Sequence, residues 1–152
     1  MSATDAAYLA PGLPVPVASP DGLDLPYWSA LRENRVLVQQ CTSCATWRFG
    51  PEWICHRCHS FETVWREVLP RGRIYSWERV WHPVVAALKA HGPYLVVLVE
   101  LDHPAGIRML GNLLGDPHQL VSIGTPVTGV FEHHPETSPP CSLLQWQVSS
   151  LG

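Results

Sequence analysis

The segments Cys41-Thr42-Ser43-Cys44 and Cys55-His56-Arg57-Cys58 decide the fold of the first half of this chain. Each segment holds a Cys-x-x-Cys pair, and ten residues separate the two pairs. Two such turns supply four thiolates that can close a tetrahedron around one ion, as in a zinc ribbon. Because a closed shell of four sulfurs leaves no position for water or substrate, the pattern predicts a structural metal site.

Other interpretations of these cysteines remain open at this point. Iron binds the same four thiolates in a rubredoxin-like site. Residues 55–59 also match the Cys-x-x-Cys-His pattern of haem attachment, although haem leaves Cys41 and Cys44 unexplained. Either His56 or His59 can replace a cysteine as a ligand, or both can be exposed residues of the turn.

Upstream of the cysteines the chain changes from proline-rich to helical. Residues 1–23 carry four prolines and no apolar periodicity, which predicts an extended arm. Residues 24–35 are predicted to form a short helix, because Asp24 can cap it and Pro26 suits its first turn. The predicted ribbon follows over residues 36–69, a unit too small to be held by apolar burial alone.

Downstream, residues 70–152 carry the punctuated pattern of β structure. Five segments rich in Val, Ile, Leu, Tyr or Trp are separated by turn residues. The predicted strands are 72–81, 94–102, 107–114, 126–132 and 143–148. Five short strands predict a small closed barrel of the OB type, with residues 116–121 forming the helix that such a barrel usually places between its third and fourth strands. The predicted fold is therefore mainly β: a short N-terminal helix, a rubredoxin-like zinc ribbon and a five-stranded OB-fold barrel.

Composition and charge exclude several classes of protein. Ten basic and 13 acidic residues give a net charge of −3, and nine of the basic residues are Arg, which disfavours a general polyanion-binding surface. No apolar run approaches the roughly 20 residues of a bilayer crossing, and residues 1–5 lack the features of a signal peptide. We therefore expect a cytoplasmic protein without a membrane partner. In that reducing compartment, five cysteines favour metal binding over disulfides.

Positive charge is concentrated in the ribbon and the first barrel strand. Residues 32–81 hold eight Arg against five acidic residues, whereas residues 82–152 hold two basic residues against five acidic ones. Paired guanidinium hydrogen bonds suit phosphate groups, and the alternative is solvated charge on a strand face. The candidate phosphate-binding residues are Arg66, Arg71, Arg73 and Arg79.

Seven Trp in 152 residues are many for one small barrel. Barrel aromatics either stack on nucleic-acid bases or fill the core and a partner interface, and packing is the commoner use. The later strands offer few basic residues beside these rings, which weakens the nucleic-acid interpretation. The residues concerned are Tyr75, Trp77, Trp81, Tyr94, Phe131 and Trp146.

Catalytic motifs are not apparent, and no catalytic residue is assigned. The chain has no Gly-rich phosphate loop, no Gly-x-Ser-x-Gly and no His-Glu-x-x-His. Cys141, in a predicted loop over residues 139–142, is expected to be an ordinary thiol. His82, His91 and the pair His133-His134 are expected to be solvated loop or strand-end residues.

Helix, ribbon and barrel in this order resemble domain-of-unknown-function family thirty-five. The resemblance covers about residues 24–148. It rests on a combination of segments and not on any one of them. These segments are 27–31, 38–44, 49–51, 55–58, 72–76, 93–101, 111–113, 123–127 and 130–132.

Members of that family pair a rubredoxin-like zinc ribbon with an acyl-CoA-associated OB fold and act beside thiolase-like enzymes. Those enzymes include acyl-CoA thiolases, side-chain aldolases of steroid breakdown and acyltransferases of polyketide pathways. The resemblance implies a non-catalytic or co-catalytic subunit of a hetero-oligomer, which docks on its partner and helps to bind or channel a coenzyme A thioester. Coenzyme A needs guanidinium groups at its anionic end, for which the four arginines are the candidates. Surface aromatic residues are enriched in interfaces, so the candidate residues of the partner interface are Trp28, Trp77, Trp81 and Tyr94.

Two functions of other classes remain open beside this one. A nucleic-acid-binding ribbon and OB module would show salt-dependent binding to single strands. A stand-alone enzyme acting on coenzyme A thioesters would be active as the purified chain without any partner.

Overall fold

Two β-sheets and one α-helix make up the computed structural model, which describes residues 13–149. The first 12 residues of the predicted arm and residues 150–152 of the predicted barrel lie outside the described residues. None of the helices within the described range has the length and apolar character needed to cross a bilayer. In chain order the elements are α1 (Leu25–Arg32), β1 (Val36–Cys41), β2 (Trp47–Arg48), β3 (Thr63–Val68), β4 (Arg71–Val80), a short 3₁₀ helix (Ala86–His91), β5 (Tyr94–Leu101), β6 (Arg108–Asn112), β7 (Pro126–His134) and β8 (Cys141–Val148).

Helix α1 starts where the sequence predicts it, although not through the predicted cap. Asp24 occupies the N-cap position and Pro26 lies in the first turn, but the Asp24 carboxylate makes no capping bond to the helix backbone. It accepts instead from the Ser19 backbone N–H at 2.7 Å and from the Trp28 indole N–H at 2.9 Å. Asp24 therefore ties the chain before the helix to the helix surface, and Leu31, one turn after Trp28, is fully buried.

The ribbon sheet has the strand order β2-β1-β3, and both pairings are antiparallel. Its two long strands pair in continuous register from Val36 opposite Val68 to Cys41 opposite Thr63. At the end of this pairing where Val36 lies opposite Val68, the side chains of Val36, Val38 and Val68 belong to one hydrophobic cluster with barrel residues. The ribbon is therefore anchored to the barrel at one end, and its cysteine turns project from the other.

The second sheet has the order β6-β5-β4-β7-β8 and carries the predicted barrel. A parallel bridge between Leu113 and Trp146 closes the seam between β6 and β8, and Trp146 is fully buried. A Cβ atom on Gly111 would lie 2.7 Å from the Leu144 carbonyl oxygen, so only glycine lets the two strands approach this closely. The five predicted strands are confirmed, with ends displaced by one or two residues.

The predicted helix over residues 116–121 is wrong, because this segment forms turns. Strand β4 pairs with β7 only over residues 71–73, so the backbone groups on this edge of β4 beyond residue 73 need other hydrogen-bond partners. The β6–β7 connection lies along this edge, where the Gly124 N–H donates to the Ile74 carbonyl at 2.7 Å. The Arg79 side chain donates to the carbonyls of Pro117 and Gln119 in the same connection, at 2.7 and 2.6 Å. These carbonyls therefore bind the Arg79 side chain instead of the backbone N–H groups of a helix. The 3₁₀ helix over Ala86–His91 was not predicted.

Candidate functional site

The four predicted ligands converge at the free end of the ribbon. Their sulfur atoms all lie within 4.8 Å of one another, with Cys41 to Cys58 and Cys44 to Cys55 at 3.6 Å. A disulfide needs about 2 Å between sulfurs, whereas a tetrahedral ion with metal–sulfur bonds of about 2.3 Å spaces its sulfurs by about 3.8 Å. The donor set and its spacing therefore fit one tetrahedral Zn²⁺ or iron ion. This arrangement uses all four cysteines at once, which haem attachment does not.

Both cysteine turns have the same backbone geometry. In each, the residue after the second cysteine has a left-handed conformation, with φ of 60° at Ala45 and 61° at His59. Their N–H groups donate back to the carbonyls of Cys41 and Cys55 at 2.9 and 2.8 Å, which closes each turn around its pair of sulfurs. His59 and His56 are exposed and outside the sulfur cluster, so they are residues of the turns and not ligands.

Hydrogen bonds and neighbouring sulfurs give Cys44, Cys55 and Cys58 different pKa values before metal binds. The hydroxyl and N–H of Thr46 stabilise the Cys44 thiolate and lower its pKa to about 6. The Cys58 backbone N–H likewise lowers the pKa of Cys55, against the opposing effect of burial. At Cys58 the Ser60 N–H favours the thiolate, but neighbouring sulfurs and burial outweigh it and raise the pKa to about 12. Four thiolates this close repel one another, so a cation is needed to hold all of them ionised.

The four candidate phosphate-binding arginines do not form one cluster. Arg66 lies on β3 in the ribbon, where it donates to the Gln40 side chain at 2.6 Å. Arg71 and Arg73 begin β4, and Arg79 lies eight residues along the same strand, roughly 25 Å away at the rise of an extended chain. The guanidinium group of Arg79 is also engaged by two carbonyl groups. Only Arg71 and Arg73 are therefore close neighbours.

A row of charges crosses the outer face of strands β4, β5 and β6. Arg73, Glu100 and Arg108 are direct cross-strand neighbours, and the Arg73 guanidinium group also donates to the Gly124 carbonyl at 3.1 Å. Arg108 pairs with Glu100 at 2.8 Å and lies over the Tyr75 ring at 3.6 Å. Arg71 extends the positive charge, although Asp102 pairs with it at 3.4 Å.

Beyond this row the same face is mostly apolar, although the exposed carboxylate of Glu78 on β4 lies opposite Val96. The next residues across β5 and β6 are Leu98 and Leu110, followed by Val96 and Asn112. They lead into a groove of about 290 Å³ between α1 and the β6–β8 seam, whose wall includes Tyr27. Burial raises the pKa of Tyr27 to about 12, so its hydroxyl remains a neutral donor at physiological pH. The face thus combines a cationic end with a groove lined by uncharged residues.

Exposed apolar side chains gather at one end of the barrel, in what we call the loop-end patch: Trp81, Val84, Val85 and Leu120. Their exposed fractions run from 47% at Val85 to 100% at Leu120. Two chain connections build the patch, and contacts of Arg79 and of the Trp81 ring with residues 117–119 hold them together. Such an apolar surface is typical of a site that meets another protein.

The other predicted interface and stacking residues lie in different places. Trp77 is exposed beside Arg79, and Tyr94 is half-buried at the start of β5. Trp28 is half-buried on α1 and borders the groove. Phe131 packs partly against the core, and Trp146 is fully buried, so Trp146 cannot stack on a base.

A buried polar network between β7 and β8 was missed by the sequence analysis. The expectations of a solvated His134 and of Cys141 in a loop are both wrong, since β7 and β8 extend to pair these two residues. His134 is only 5% exposed, and its two ring nitrogens meet Glu132 at 2.8 Å and Glu136 at 3.0 Å. Gln145 donates to the second Glu132 oxygen at 2.9 Å. Ionised carboxylates only accept hydrogen bonds, so with both glutamates ionised the two nitrogens of His134 donate and the ring is an imidazolium.

This imidazolium makes the stability of the protein pH-dependent. Burial alone would lower the pKa of His134, but the hydrogen bonds to Glu136 and Glu132 outweigh it and hold the pKa above its ordinary value of 6.5. The stabilisation is therefore complete below pH 6.5 and is lost as pH rises through the folded-state pKa. We expect the free energy of unfolding to fall over this range, because deprotonation takes a hydrogen-bond donor away from a buried carboxylate. Urea denaturation at a series of pH values measures it.

Matched histidine variants separate this effect from the rest of the titration. His134→Gln should flatten the loss of stability above pH 6.5, whereas His82→Gln, at an exposed position, should leave it unchanged. An unchanged pH profile in His134→Gln would contradict the assignment of the charged pair.

Known proteins match the chain across both modules. The description "ChsH2, rubredoxin-like zinc ribbon domain" matches residues 28–64, and "ChsH2, C-terminal OB-fold domain" matches residues 65–132. A curated protein of Thermomonospora curvata, named a probable enoyl-CoA hydratase alpha subunit, is 35% identical over 105 residues. That match covers 68% of this chain but only 32% of the relative, so the chain spans about a third of that protein's length.

Two solved structures share the fold. One is named Ltp2-ChsH2(DUF35) aldolase and has 30% identity and a TM-score of 0.72, covering 88% of this chain and 98% of that one. The other is a DUF35-family protein of unknown function from Sulfolobus solfataricus, with 14% identity and a TM-score of 0.57 over 87% of each chain, a likeness of fold alone. On its two matched domains and its 98% coverage of the chain compared from the aldolase structure, this protein belongs to the ChsH2 (DUF35) family.

Proposed function

We propose that this chain is the accessory subunit of a thiolase-like acyl-CoA complex, performing carbon–carbon bond cleavage or acyl transfer together with a catalytic partner. The observation that carries the proposal is the structural likeness to a chain of a solved structure named Ltp2-ChsH2(DUF35) aldolase, 98% of which is covered. The family resemblance adds thiolase-like enzymes as the partner class. In this function the chain docks on the partner, and the two together hold a coenzyme A thioester.

The loop-end patch is the docking surface in this proposal. Trp81 is 54% exposed, Val84 94% and Leu120 100%, so contact with a second protein would remove much apolar surface from water. Interfaces concentrate their binding energy in a few aromatic anchors, and Trp is the residue most enriched among them. Arg79 fixes the two connections that carry these residues, which gives the partner an ordered surface to meet.

The outer face of β4, β5 and β6 is the thioester-binding surface in this proposal. Coenzyme A has an anionic nucleotide end and a long, mostly apolar arm, and it needs guanidinium groups followed by a neutral channel. Arg73 and Arg108 supply the first, and the surface from Leu98 and Leu110 to the groove beside Tyr27 supplies the second. OB folds commonly bind ligands on this face of their second and third strands.

Arg73→Ala is expected to weaken coenzyme A binding to the assembled complex by roughly ten- to a hundredfold. One hydrogen bond to a charged group contributes about 1.5 to 3 kcal/mol, which corresponds to that range. Isothermal titration calorimetry measures the loss, with Arg57→Ala as a control at an exposed arginine of the ribbon. Arg73→Ala should leave the binding of an acyl-pantetheine, which lacks the nucleotide, unchanged. An equal loss of affinity for coenzyme A and for the acyl-pantetheine would contradict the phosphate contact.

The metal centre serves this function as a structural element. A zinc ion held by four cysteines has no open position for chemistry, so it orders the free end of the ribbon. A cytoplasmic location suits the site, because a reducing compartment keeps the cysteines available as metal ligands.

Co-expression with a thiolase-like enzyme tests the proposal directly. The two chains are expected to co-purify and elute together in size-exclusion chromatography, and the complex is expected to act on a coenzyme A thioester. Turnover of the thioester by this chain alone, or failure of every thiolase-like candidate to associate with it, would overturn the proposal.

A further inference from the structure

One buried cation in the ribbon has no anionic partner among residues 13–149. The Arg48 side chain is 3% exposed and donates to two neutral acceptors: the Glu52 backbone carbonyl at 3.2 Å and the Thr63 hydroxyl at 2.8 Å. Its Nε atom has no hydrogen-bond partner, and no carboxylate of the described residues forms an ion pair with it. Burying an unpaired charge is costly, so a compensating negative charge is expected nearby.

The register of the ribbon sheet places Arg48 on the same side as a metal ligand. Arg48 pairs with Gln39 of β1, and Cys41 lies two residues further along that strand. Side chains two residues apart in a strand share a face, and direct cross-strand partners share it too. Thr63, which accepts the hydrogen bond from Arg48, is the direct partner of Cys41. The guanidinium group therefore lies beside the residue that neighbours the cluster.

We propose that Arg48 is the counter-charge of the four-thiolate metal centre and raises its affinity for metal. A divalent ion with four thiolates carries a net charge of −2, whether the ion is zinc or ferrous iron. In a poorly hydrated interior this charge attracts a nearby guanidinium group much more strongly than it would in water. The bound centre thus supplies the anion that Arg48 lacks. The inference rests on the metal site and is independent of the proposed docking function.

Arg48 also fastens the backbone that leads to the second cysteine pair, and this role must be separated from its charge. Its bond to the Glu52 carbonyl and the bond from the Glu52 N–H to the Gln39 side chain at 2.9 Å both hold the chain three residues before Cys55. A lysine keeps the charge but loses the planar fork of donors, whereas a methionine keeps the apolar stem and loses the charge.

The experiment measures Zn²⁺ affinity of the full chain by competition with a chelator, and ligand geometry by the absorption spectrum of the Co²⁺-loaded protein. Arg48→Met is expected to weaken zinc binding about ten- to a hundredfold, as removal of groups that support metal ligands generally does. Arg48→Lys should bind zinc closer to the native protein than to Arg48→Met. Arg66→Met is the matched control, because Arg66 lies on the opposite face of the same sheet and should leave the affinity unchanged.

Each possible result either supports or overturns the proposed role of the Arg48 charge. Tight zinc binding by Arg48→Met would overturn the proposal, and so would an Arg48→Lys variant that binds or folds as poorly as Arg48→Met, since the charge would then not be the cause. An Arg48→Met variant that fails to fold even with zinc, beside an Arg48→Lys variant that folds and binds it, would support the charge. A native tetrahedral Co²⁺ spectrum in Arg48→Met together with weakened zinc affinity would support it as well, because the ligands would be correctly placed.

Discussion

Cys41→Ser is expected to reduce bound metal from one ion per chain to near zero and to unfold the free end of the ribbon. A serine hydroxyl is a poor substitute for a thiolate, and three sulfurs cannot close the tetrahedron. Structural zinc sites contribute about 10 kcal/mol or more of apparent binding free energy, which becomes folding free energy of the unit they close. No other effect predicted for this protein is as large.

The unfolding should stop where the ribbon joins the hydrophobic cluster that it shares with the barrel. Val36, Val38 and Val68 pack in one cluster with barrel residues and are held without metal, whereas residues 41–63 depend on it. Hydrogen exchange is therefore expected to show lost amide protection over residues 41–63 and retained protection in the barrel strands. Metal analysis gives the stoichiometry of the same sample.

Cys141→Ser is the matched control for this experiment. It makes the same chemical change at a buried cysteine outside the sulfur cluster, and its metal content should equal that of the native chain. A folded Cys41→Ser protein with unchanged zinc content would refute the ligand assignment.

The metal centre could be predicted because its signal is local. Each Cys-x-x-Cys turn is a closed unit whose own hydrogen bonds orient its sulfurs, as the matching geometries at Ala45 and His59 show. The barrel strands could be predicted for a similar reason, since β-branched and aromatic residues between turn residues favour extended structure wherever they lie.

Contacts between distant segments explain what the sequence analysis missed. Residues 116–121 have a plausible helical pattern, but Arg79, some 40 positions earlier, binds two of their carbonyls. Tertiary contacts of this kind commonly override local propensity. The four candidate phosphate-binding arginines are spread out for a related reason, because residues near one another in sequence can lie an extended strand apart.

The β7–β8 network shows the same limit at a polar site. His134 follows a strand pattern that ends in polar residues, and two prolines precede Cys141, so both looked like loop residues. Pairing of the two strands continues to the His134–Cys141 pair and buries the imidazole between carboxylates. Only the register of two strands brings these groups together, and a single sequence carries no direct signal of register.

Trp81→Asp is expected to weaken association with the thiolase-like partner by at least 2 kcal/mol, about thirtyfold, the effect of removing an interface anchor. The substitution removes a large apolar contact and places a charge in a surface that would become desolvated. Because Trp81 is 54% exposed in the isolated chain, its thermal stability should change little, within about 0.5 kcal/mol. Surface plasmon resonance with immobilised partner measures the affinity, and thermal denaturation checks the fold.

Phe61→Asp provides the comparison, because Phe61 is 69% exposed on the ribbon and distant in sequence from the loop-end patch. Both variants place a carboxylate where an exposed aromatic ring stood, so a general effect of charge or solubility should affect them equally. Loss of binding in Trp81→Asp alone would locate docking at the barrel end. Loss in Phe61→Asp alone would move the interface to the ribbon and contradict the patch, while leaving the accessory function itself intact.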